Sequence, residues 1–230
     1  MAQSAADKVS TVERRLILDA FRNLLVAAIA LAIFGWLAGR VLATGTLRFD
    51  LSVRDWIHFH ASPISTEWML RITTLGNWYV ILPAAAVLFI YLKVKGSSQE
   101  ARLLAVTMAG ALLLDAILKL TFRRARPEPF FDLLTPKTFS FPSGHALFSL
   151  CLIGFVAGLI NLRVERLWLR SMVWAGAVVL VALVGFSRVY LGVHYPSDVL
   201  AGYAAALAWM STVGAVAHRE ARAEKLKGSG

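Results

Sequence analysis

The sequence predicts an all-α, polytopic membrane protein with six transmembrane helices. Of the 230 residues, 58% are hydrophobic and only 17% are charged, and the mean hydropathy is +0.64. A soluble domain of this length is rarely so apolar, and several uncharged runs are long enough to cross a bilayer. The backbone must satisfy its own hydrogen bonds in lipid, so these runs are expected to be helices. No linker or repeat divides the chain, which favours a single domain over residues 1–230.

Each predicted span is a run of the length that crosses roughly 30 Å of hydrocarbon as a helix. Five runs carry no charge, at 23–39, 72–92, 146–162, 171–187 and 199–217. A sixth, at 103–118, is apolar except for Asp115 and is followed by Lys119. The segment before the first run carries charges of both signs, which is typical of an uncleaved first span and not of a secretory signal.

The distribution of basic residues predicts the orientation. Six spans put both termini on one side, with the connections 93–102 and 163–170. Outside the polar motifs described below, the other side has only Arg40, Arg48, Arg54 and Arg71. The positive-inside rule therefore predicts that the first side is cytoplasmic. Its fourteen basic residues are Lys8, Arg14, Arg15, Arg22, Lys93, Lys95, Arg102, Arg163, Arg166, Arg170, Arg219, Arg222, Lys225 and Lys227.

The net charge of +10 is spread between apolar runs, so no basic stretch indicates nucleic-acid binding. The one cysteine, Cys151, lies inside an apolar run and is interpreted as a small buried hydrophobe. The noncytoplasmic segment 45–71 mixes aromatic and charged residues, which predicts short amphipathic helices at the membrane surface. His58 and His60 in this segment are interpreted as solvated surface residues.

Three polar segments follow or precede predicted spans on the noncytoplasmic side. They cover residues 119–127, 142–145 and 187–198. The first follows the third span, the second precedes the fourth, and the third lies between the fifth and the sixth. The topology therefore predicts that all three meet at the same face, at the noncytoplasmic ends of helices three to six.

The residue types in these segments indicate a site for a multiply charged anion. Lys119, Arg126 and Arg188 supply three cations, and guanidinium groups bind phosphate oxygens in pairs. Ser143 is a suitable N-cap, and Gly144 lets an anion approach the backbone N–H groups at the start of a helix. A cluster that serves packing alone would bury like charges at high cost.

Two histidines and one carboxylate add proton-transfer and nucleophilic chemistry. His145 and His194 can exchange protons near neutral pH, and Asp198 follows His194 by four residues. Asp198 could hold one ring nitrogen of His194 while the other attacks phosphorus. The simpler alternative is that His194 and Asp198 only cap a helix.

Three further charged residues stand beside these motifs. Asp115 precedes Lys119 by four residues, a spacing that predicts a structural ion pair within the helix. Arg123 and Arg124 could contact a second phosphate, or could be solvated or face lipid headgroups.

The three segments resemble the signature of the type 2 phosphatidic acid phosphatase family, which reads K-x6-R-P, P-S-G-H and S-R-x5-H-x3-D. This chain has every signature residue in order, and the motifs span residues 119–198. The matching positions are Lys119, Arg126, Pro127, Pro142, Ser143, Gly144, His145, Ser187, Arg188, His194 and Asp198.

The resemblance implies a mechanism. His194 would attack phosphorus and form a phosphohistidine, Asp198 would orient it, and His145 would protonate the departing oxygen and then activate water. No metal or cofactor is implied. The residues implied to bind phosphate are Lys119, Arg126, Ser143, Gly144 and Arg188.

The membrane setting favours a lipid phosphate as substrate, in a bacterial inner membrane with the site facing outwards. Undecaprenyl pyrophosphate is preferred, alone or within a range that includes phosphatidylglycerophosphate and phosphatidic acid. The alternatives are a lipid A phosphatase, a transporter that binds an anion or lipid without hydrolysis, and an inactive relative that serves as a partner protein. The sequence leaves the oligomeric state open.

Overall fold

The computed structural model describes the backbone of residues 2–227 and the side chains of 17–221 and 223. Six of the residues counted for the orientation lie outside the described side chains: Lys8, Arg14, Arg15, Arg222, Lys225 and Lys227. Within the described range the chain forms eight helices and no strand, so the all-α prediction is confirmed.

The eight helices are joined by short turns, except for one long connection between α5 and α6. In chain order they are α1 (Ala2–Thr44), α2 (Arg48–Phe59), α3 (Pro63–Thr74), α4 (Trp78–Val94), α5 (Ser98–Phe122), α6 (Gly144–Arg163), α7 (Leu167–Tyr190) and α8 (Pro196–Lys227).

Five of these helices are long and apolar enough to cross a membrane: α1, α5, α6, α7 and α8. A sixth span exists if α3 and α4 count together, although they meet at a bend of 43°. The chain is a multi-pass membrane protein, as predicted. The second predicted span, 72–92, begins differently in the structure, because its first residues belong to the end of α3. The bend follows at Leu75–Asn77, so α4 itself has only 17 residues.

The helices pack closely through small side chains. α1 lies along α8, and α6 lies between α7 and α8. Ala101, Ala111, Cys151 and Ala206 are fully buried where α5, α6 and α8 meet, which lets these helices approach closely. The buried Cys151 agrees with its interpretation as a small hydrophobe.

α2 and α3 are the two short helices predicted within 45–71. Ser62 caps α3 by accepting a hydrogen bond from Ser65 N (3.3 Å), and Pro63 occupies its first position. The Tyr190 hydroxyl at the end of α7 is hydrogen-bonded to Ser65 Oγ (2.7 Å) and Thr66 Oγ1 (2.9 Å). α3 is thereby fixed to the helix that carries Arg188.

Candidate active site

The structure brings the three polar segments together at one end of the helix bundle. Ser143 N donates to Asp198 O (2.9 Å), which joins the start of α6 to the start of α8. Arg126 Nη1 donates to Val193 O (2.9 Å), which joins the α5–α6 connection to the turn between α7 and α8. All eight sequence-predicted site residues therefore belong to segments that meet here.

His194 lies at the centre of this region and is 1% exposed. Its Nδ1 lies 3.3 Å from Asp198 Oδ2, across the four-residue spacing seen in the sequence. Two other groups donate to the same oxygen, Tyr195 N at 2.9 Å and Ser140 Oγ. Asp198 is fixed in place and in turn fixes the plane of the imidazole ring.

Arg126 determines the tautomer of His194. Its Nη1 lies 2.9 Å from His194 Nε2, and a guanidinium nitrogen can only donate a hydrogen bond. Nε2 is therefore the acceptor, and the ring proton lies on Nδ1, where it is donated to Asp198. Burial lowers the pKa of His194 from 6.5 to about 3, helped by the charges of Arg126 and Arg188 and opposed by Asp198. The ring is neutral at pH 7.

Arg126 is itself held by the α5–α6 connection. Its Nε donates to Thr138 O (2.7 Å) and its Nη2 to Thr138 Oγ1 (2.9 Å). These bonds keep the guanidinium plane beside the His194 ring.

Lys119 lies next to the start of α6. Its Nζ forms an ion pair with Asp115 Oδ2 (2.8 Å), the pair that the spacing predicted. A β-carbon on Gly144 would lie 2.9 Å from Asp115 Oδ1 and 3.2 Å from Lys119 Nζ. A glycine at this position leaves room for the Asp115–Lys119 pair beside the start of α6.

Several polar atoms of the predicted site are buried without a partner. Within the described part of the chain, no hydrogen bond is made by Ser143 Oγ, His145 Nε2 or Arg188 Nε. Ser143 occupies the predicted N-cap position of α6, but its hydroxyl does not cap the helix. Because buried polar groups in proteins are normally paired, these atoms mark a place that receives a polar group.

Arg188 and His145 are supported by the bend between α3 and α4, which the sequence analysis did not identify. Arg188 Nη1 donates to Oγ1 of Thr73 (2.6 Å), which is the buried residue near the end of α3. Gly76 lies against the ring of His145 and the side chain of Val184. Neither Thr73 nor Gly76 belongs to a motif, so only the folded chain reveals them.

Arg123 and Arg124, for which the sequence left several roles open, differ in their exposure to solvent. Arg123 is exposed, and its Nε donates to Leu120 O (3.0 Å). Arg124 is buried, and neither a solvated nor a headgroup-facing position holds for it. Its guanidinium lies between the carboxylates of Asp50 and Asp198. Asp50, on α2, is a further residue that the sequence analysis missed.

The interfacial histidines take no part in the site geometry. His58 stacks on Phe130 with ring centroids 4.1 Å apart, and His60 is exposed, with its Nδ1 bonded to Trp56 O (2.8 Å). Among the described side chains, no group of three or more His, Cys, Asp or Glu residues is arranged as metal ligands.

Comparison with known proteins identifies the family. The model of the PAP2 superfamily matches residues 100–221, which is more than half of the chain. Phosphatidylglycerophosphatase B of Bacillus subtilis is 35% identical over 150 residues, covering 63% of this chain and 71% of that protein. The chain belongs to the PAP2 superfamily.

One further relative and one solved structure agree with the superfamily assignment. An undecaprenyl-diphosphatase of Sulfolobus acidocaldarius is 29% identical over 160 residues, covering 67% of this PAP2 chain and 72% of the relative. The crystal structure of a transmembrane PAP2 type phosphatidylglycerolphosphate phosphatase from Bacillus subtilis superposes with a TM-score of 0.74 at 29% identity. The superposition covers 81% of this chain and 93% of that one. This PAP2 protein is a membrane phosphatase.

Gly76 packs closely against His145, so a larger residue at position 76 is expected to lower turnover. In Gly76→Ala the new β-carbon would lie 2.5 Å from Val184 Cγ1 and 2.9 Å from His145 Cδ2. His145 must shift, and we expect phosphatase kcat to fall by roughly tenfold to a hundredfold. The measurement is steady-state phosphate release by the purified protein in detergent.

Gly35→Ala is the matched control for this prediction. A β-carbon at residue 35 meets no described atom within 4 Å, so kcat should stay at the wild-type value. Wild-type turnover in Gly76→Ala would show that its contact with His145 has no effect on catalysis.

Proposed function

We propose that this chain dephosphorylates a lipid phosphate or diphosphate through a phosphohistidine at His194, without a metal ion. The observation that carries the proposal is the state of His194. Its Nδ1 proton is donated to Asp198, and the lone pair of Nε2 points towards the guanidinium of Arg126. A neutral imidazole with one nitrogen held and the other directed at an anion-binding group is suited to attack phosphorus.

The positive charge that a phosphate requires is supplied by side chains. Lys119, Arg126 and Arg188 are the three cations, and the backbone N–H groups of the first turn of α6, from Gly144 onwards, add donors. The unpartnered Ser143 Oγ and Arg188 Nε are available to bind phosphate oxygens. These groups would also stabilise the charge that develops on the oxygens in the transition state.

In the first step, the Nε2 lone pair of His194 forms a bond to phosphorus while the bond to the departing oxygen breaks. His145 gives its proton to that oxygen, and the dephosphorylated lipid leaves. Asp198 stabilises the positive charge that develops on the imidazole as the N–P bond forms.

In the second step, a water molecule attacks the phosphohistidine. His145, now without its proton, takes one from the water, and the P–N bond breaks to release inorganic phosphate. His194 returns to its neutral form, and His145 regains the proton that it needs for the next cycle.

For the substrate, we propose undecaprenyl diphosphate, alone or within a broader range that includes phosphatidylglycerophosphate and phosphatidic acid. Support comes from the names of the relatives, one an undecaprenyl-diphosphatase and one a phosphatidylglycerophosphatase. The candidate spans also make a lipid a more accessible substrate than a soluble phosphate ester.

The test is phosphate release from a panel of these lipids in detergent, with EDTA present throughout. We expect release from at least one of them at an undiminished rate in EDTA. Loss of activity in EDTA that added Mg²⁺ restores would contradict the metal-free mechanism. Transport of a lipid phosphate across vesicles without phosphate release would contradict hydrolysis altogether.

We also propose that residues 1–230 form one domain with cytoplasmic termini, in a bacterial inner membrane, with the site facing outwards. The described basic residues of the α4–α5 and α6–α7 connections support this orientation, since they lie at the ends of the bundle away from His194.

Labelling of single cysteines tests the orientation. Thr135→Cys, exposed in the α5–α6 connection, should react in intact cells with a membrane-impermeant maleimide. Gln99→Cys, exposed at the start of α5, should react only after permeabilisation. The wild-type protein is the background, because its one cysteine is buried. The reverse labelling pattern would overturn the orientation.

A further inference from the structure

A buried charge cluster links α2 to the residue that orients His194. Arg124 Nη2 lies 2.8 Å from Asp50 Oδ2, and Arg124 Nη1 lies 2.5 Å from Asp198 Oδ1. Both carboxylates have side chains that are 0% exposed, and the arginine side chain is 4% exposed. One guanidinium therefore bridges two carboxylates that have no access to water.

The position of Arg124 is fixed on every side. Its Nε donates to Gly45 O (2.9 Å), its Nη1 also donates to Ser197 Oγ (2.8 Å), and its Cζ lies 4.1 Å from the centre of the Tyr195 ring. Asp50 is fixed as well, because it accepts hydrogen bonds from Ser197 N (2.9 Å) and Ser197 Oγ (2.7 Å). These contacts hold Arg124 and Asp50 in place, and Arg124 in turn holds Asp198.

The two oxygens of Asp198 have separate partners. Oδ1 faces Arg124, whereas Oδ2 faces His194 Nδ1. A carboxylate without a counter-charge would attract a second proton to the imidazole, and a protonated imidazole has no lone pair on Nε2. The positive charge of Arg124 offsets part of the negative charge of Asp198. Because Asp50 shares the same guanidinium, it limits how much of the charge of Asp198 is offset.

We propose that Arg124 and Asp50 are positioning residues that set the orientation and effective charge of Asp198, and thereby keep Nε2 of His194 unprotonated for attack. The inference rests on the proposed function of His194. Neither residue touches the reacting atoms, and Asp50 comes from a helix outside the three motifs.

Other charged and titratable groups also interact with Asp198 and His194, and these groups are unchanged in the variants below. The positive charges of Arg54 on α2 and Arg126 on the α5–α6 connection interact with the negative charge of Asp198. The charge of Arg188 on α7 acts on His194, and His194 acts on His145 of α6. Tyr195 in the α7–α8 turn contacts Arg124 through its ring. A difference between variants therefore reports the change at residue 50 or 124.

The experiment compares kcat/KM of each variant with that of the wild type between about pH 8 and about pH 5, using dioctanoyl phosphatidic acid in detergent. The ratio to the wild type removes the ionisation of the substrate. In Arg124→Gln the buried cluster gains one negative charge, so the pKa of His194 rises from about 3 by roughly two to three units and enters the range of the measurement. We expect the ratio to fall towards acid pH, by up to about tenfold per pH unit.

Three other variants separate charge from geometry. Arg124→Lys keeps the charge but cannot bridge two carboxylates, so kcat should fall while the ratio stays independent of pH. Asp50→Asn removes a negative charge and should not produce the acid decline. The double variant Arg124→Gln/Asp50→Asn restores the net charge and should recover part of the acid activity. Arg123→Gln, which removes an exposed cation at the neighbouring position, should follow the wild type at every pH.

A pH-independent ratio for Arg124→Gln in a protein that still unfolds cooperatively would overturn the proposal, since the residue would then act on folding alone. If Arg124→Gln does not fold, an acid decline in Arg124→Lys or Asp50→Asn overturns it instead. A failure of the proposed function gives another result. If His194 is not the nucleophile, His194→Ala keeps its activity, whatever the pH profiles of the other variants show.

Discussion

Replacing His194 with alanine is expected to lower kcat for every lipid phosphate by about 10⁴-fold or more, the loss that follows removal of a nucleophile. The reason is the geometry of the ring, whose unprotonated Nε2 faces Arg126 while Nδ1 is held by Asp198. The measurement combines steady-state phosphate release with rapid quenching of the enzyme in alkali after mixing with ³²P-labelled substrate. The wild type should retain label on histidine, and His194→Ala should retain none.

His60→Ala provides the control for this experiment. His60 is exposed on the surface segment, and its Nδ1 contacts only the backbone oxygen of Trp56 among the described groups. This variant should keep wild-type turnover and the labelled intermediate. Substantial phosphate release by His194→Ala would refute the proposed nucleophile.

Replacing His145 with alanine is expected to lower kcat for lipid phosphates by about 10²-fold to 10⁴-fold, the usual contribution of a general acid or base. The effect should depend on the leaving group. p-Nitrophenolate leaves without a proton, so the first turnover of p-nitrophenyl phosphate should remain fast. The second step still lacks its base, so the phosphohistidine should accumulate.

A rapid-mixing measurement checks this prediction through the burst of nitrophenol. His145→Ala should give a burst close to one equivalent per enzyme, followed by a slow steady state. If the variant slows the burst for p-nitrophenyl phosphate as strongly as it slows lipid turnover, His145 does not protonate the leaving group. Its role would then be confined to the second step or to the structure.

The sequence predicted the features that depend on local pattern. Uncharged runs identify spans because charged groups are costly in lipid, and His194 and Asp198 lie close in sequence because α8 begins between them, at Pro196. The same reasoning gave the Asp115–Lys119 pair, which the structure contains at 2.8 Å. The bend between α3 and α4 was missed, because Leu75, Gly76 and Asn77 carry no charge and so do not interrupt the uncharged run 72–92.

Features that depend on tertiary contacts could not be predicted from one sequence. Arg123 and Arg124 are identical in type and adjacent, yet one is exposed and the other is buried. What separates them is the position of Asp50, which is 74 residues from Arg124 along the chain. Thr73 meets Arg188 across 115 residues in the same way. No periodicity or motif links Asp50 to Arg124, or Thr73 to Arg188.

α2 and α3 supply side-chain contacts to the region that the superfamily model matches. The superfamily match begins at residue 100, but Asp50 and Thr73 lie before it and hold Arg124 and Arg188. A chimaera that grafts residues 100–221 onto the N-terminal half of another protein would have to recreate a carboxylate and a hydroxyl at these two points.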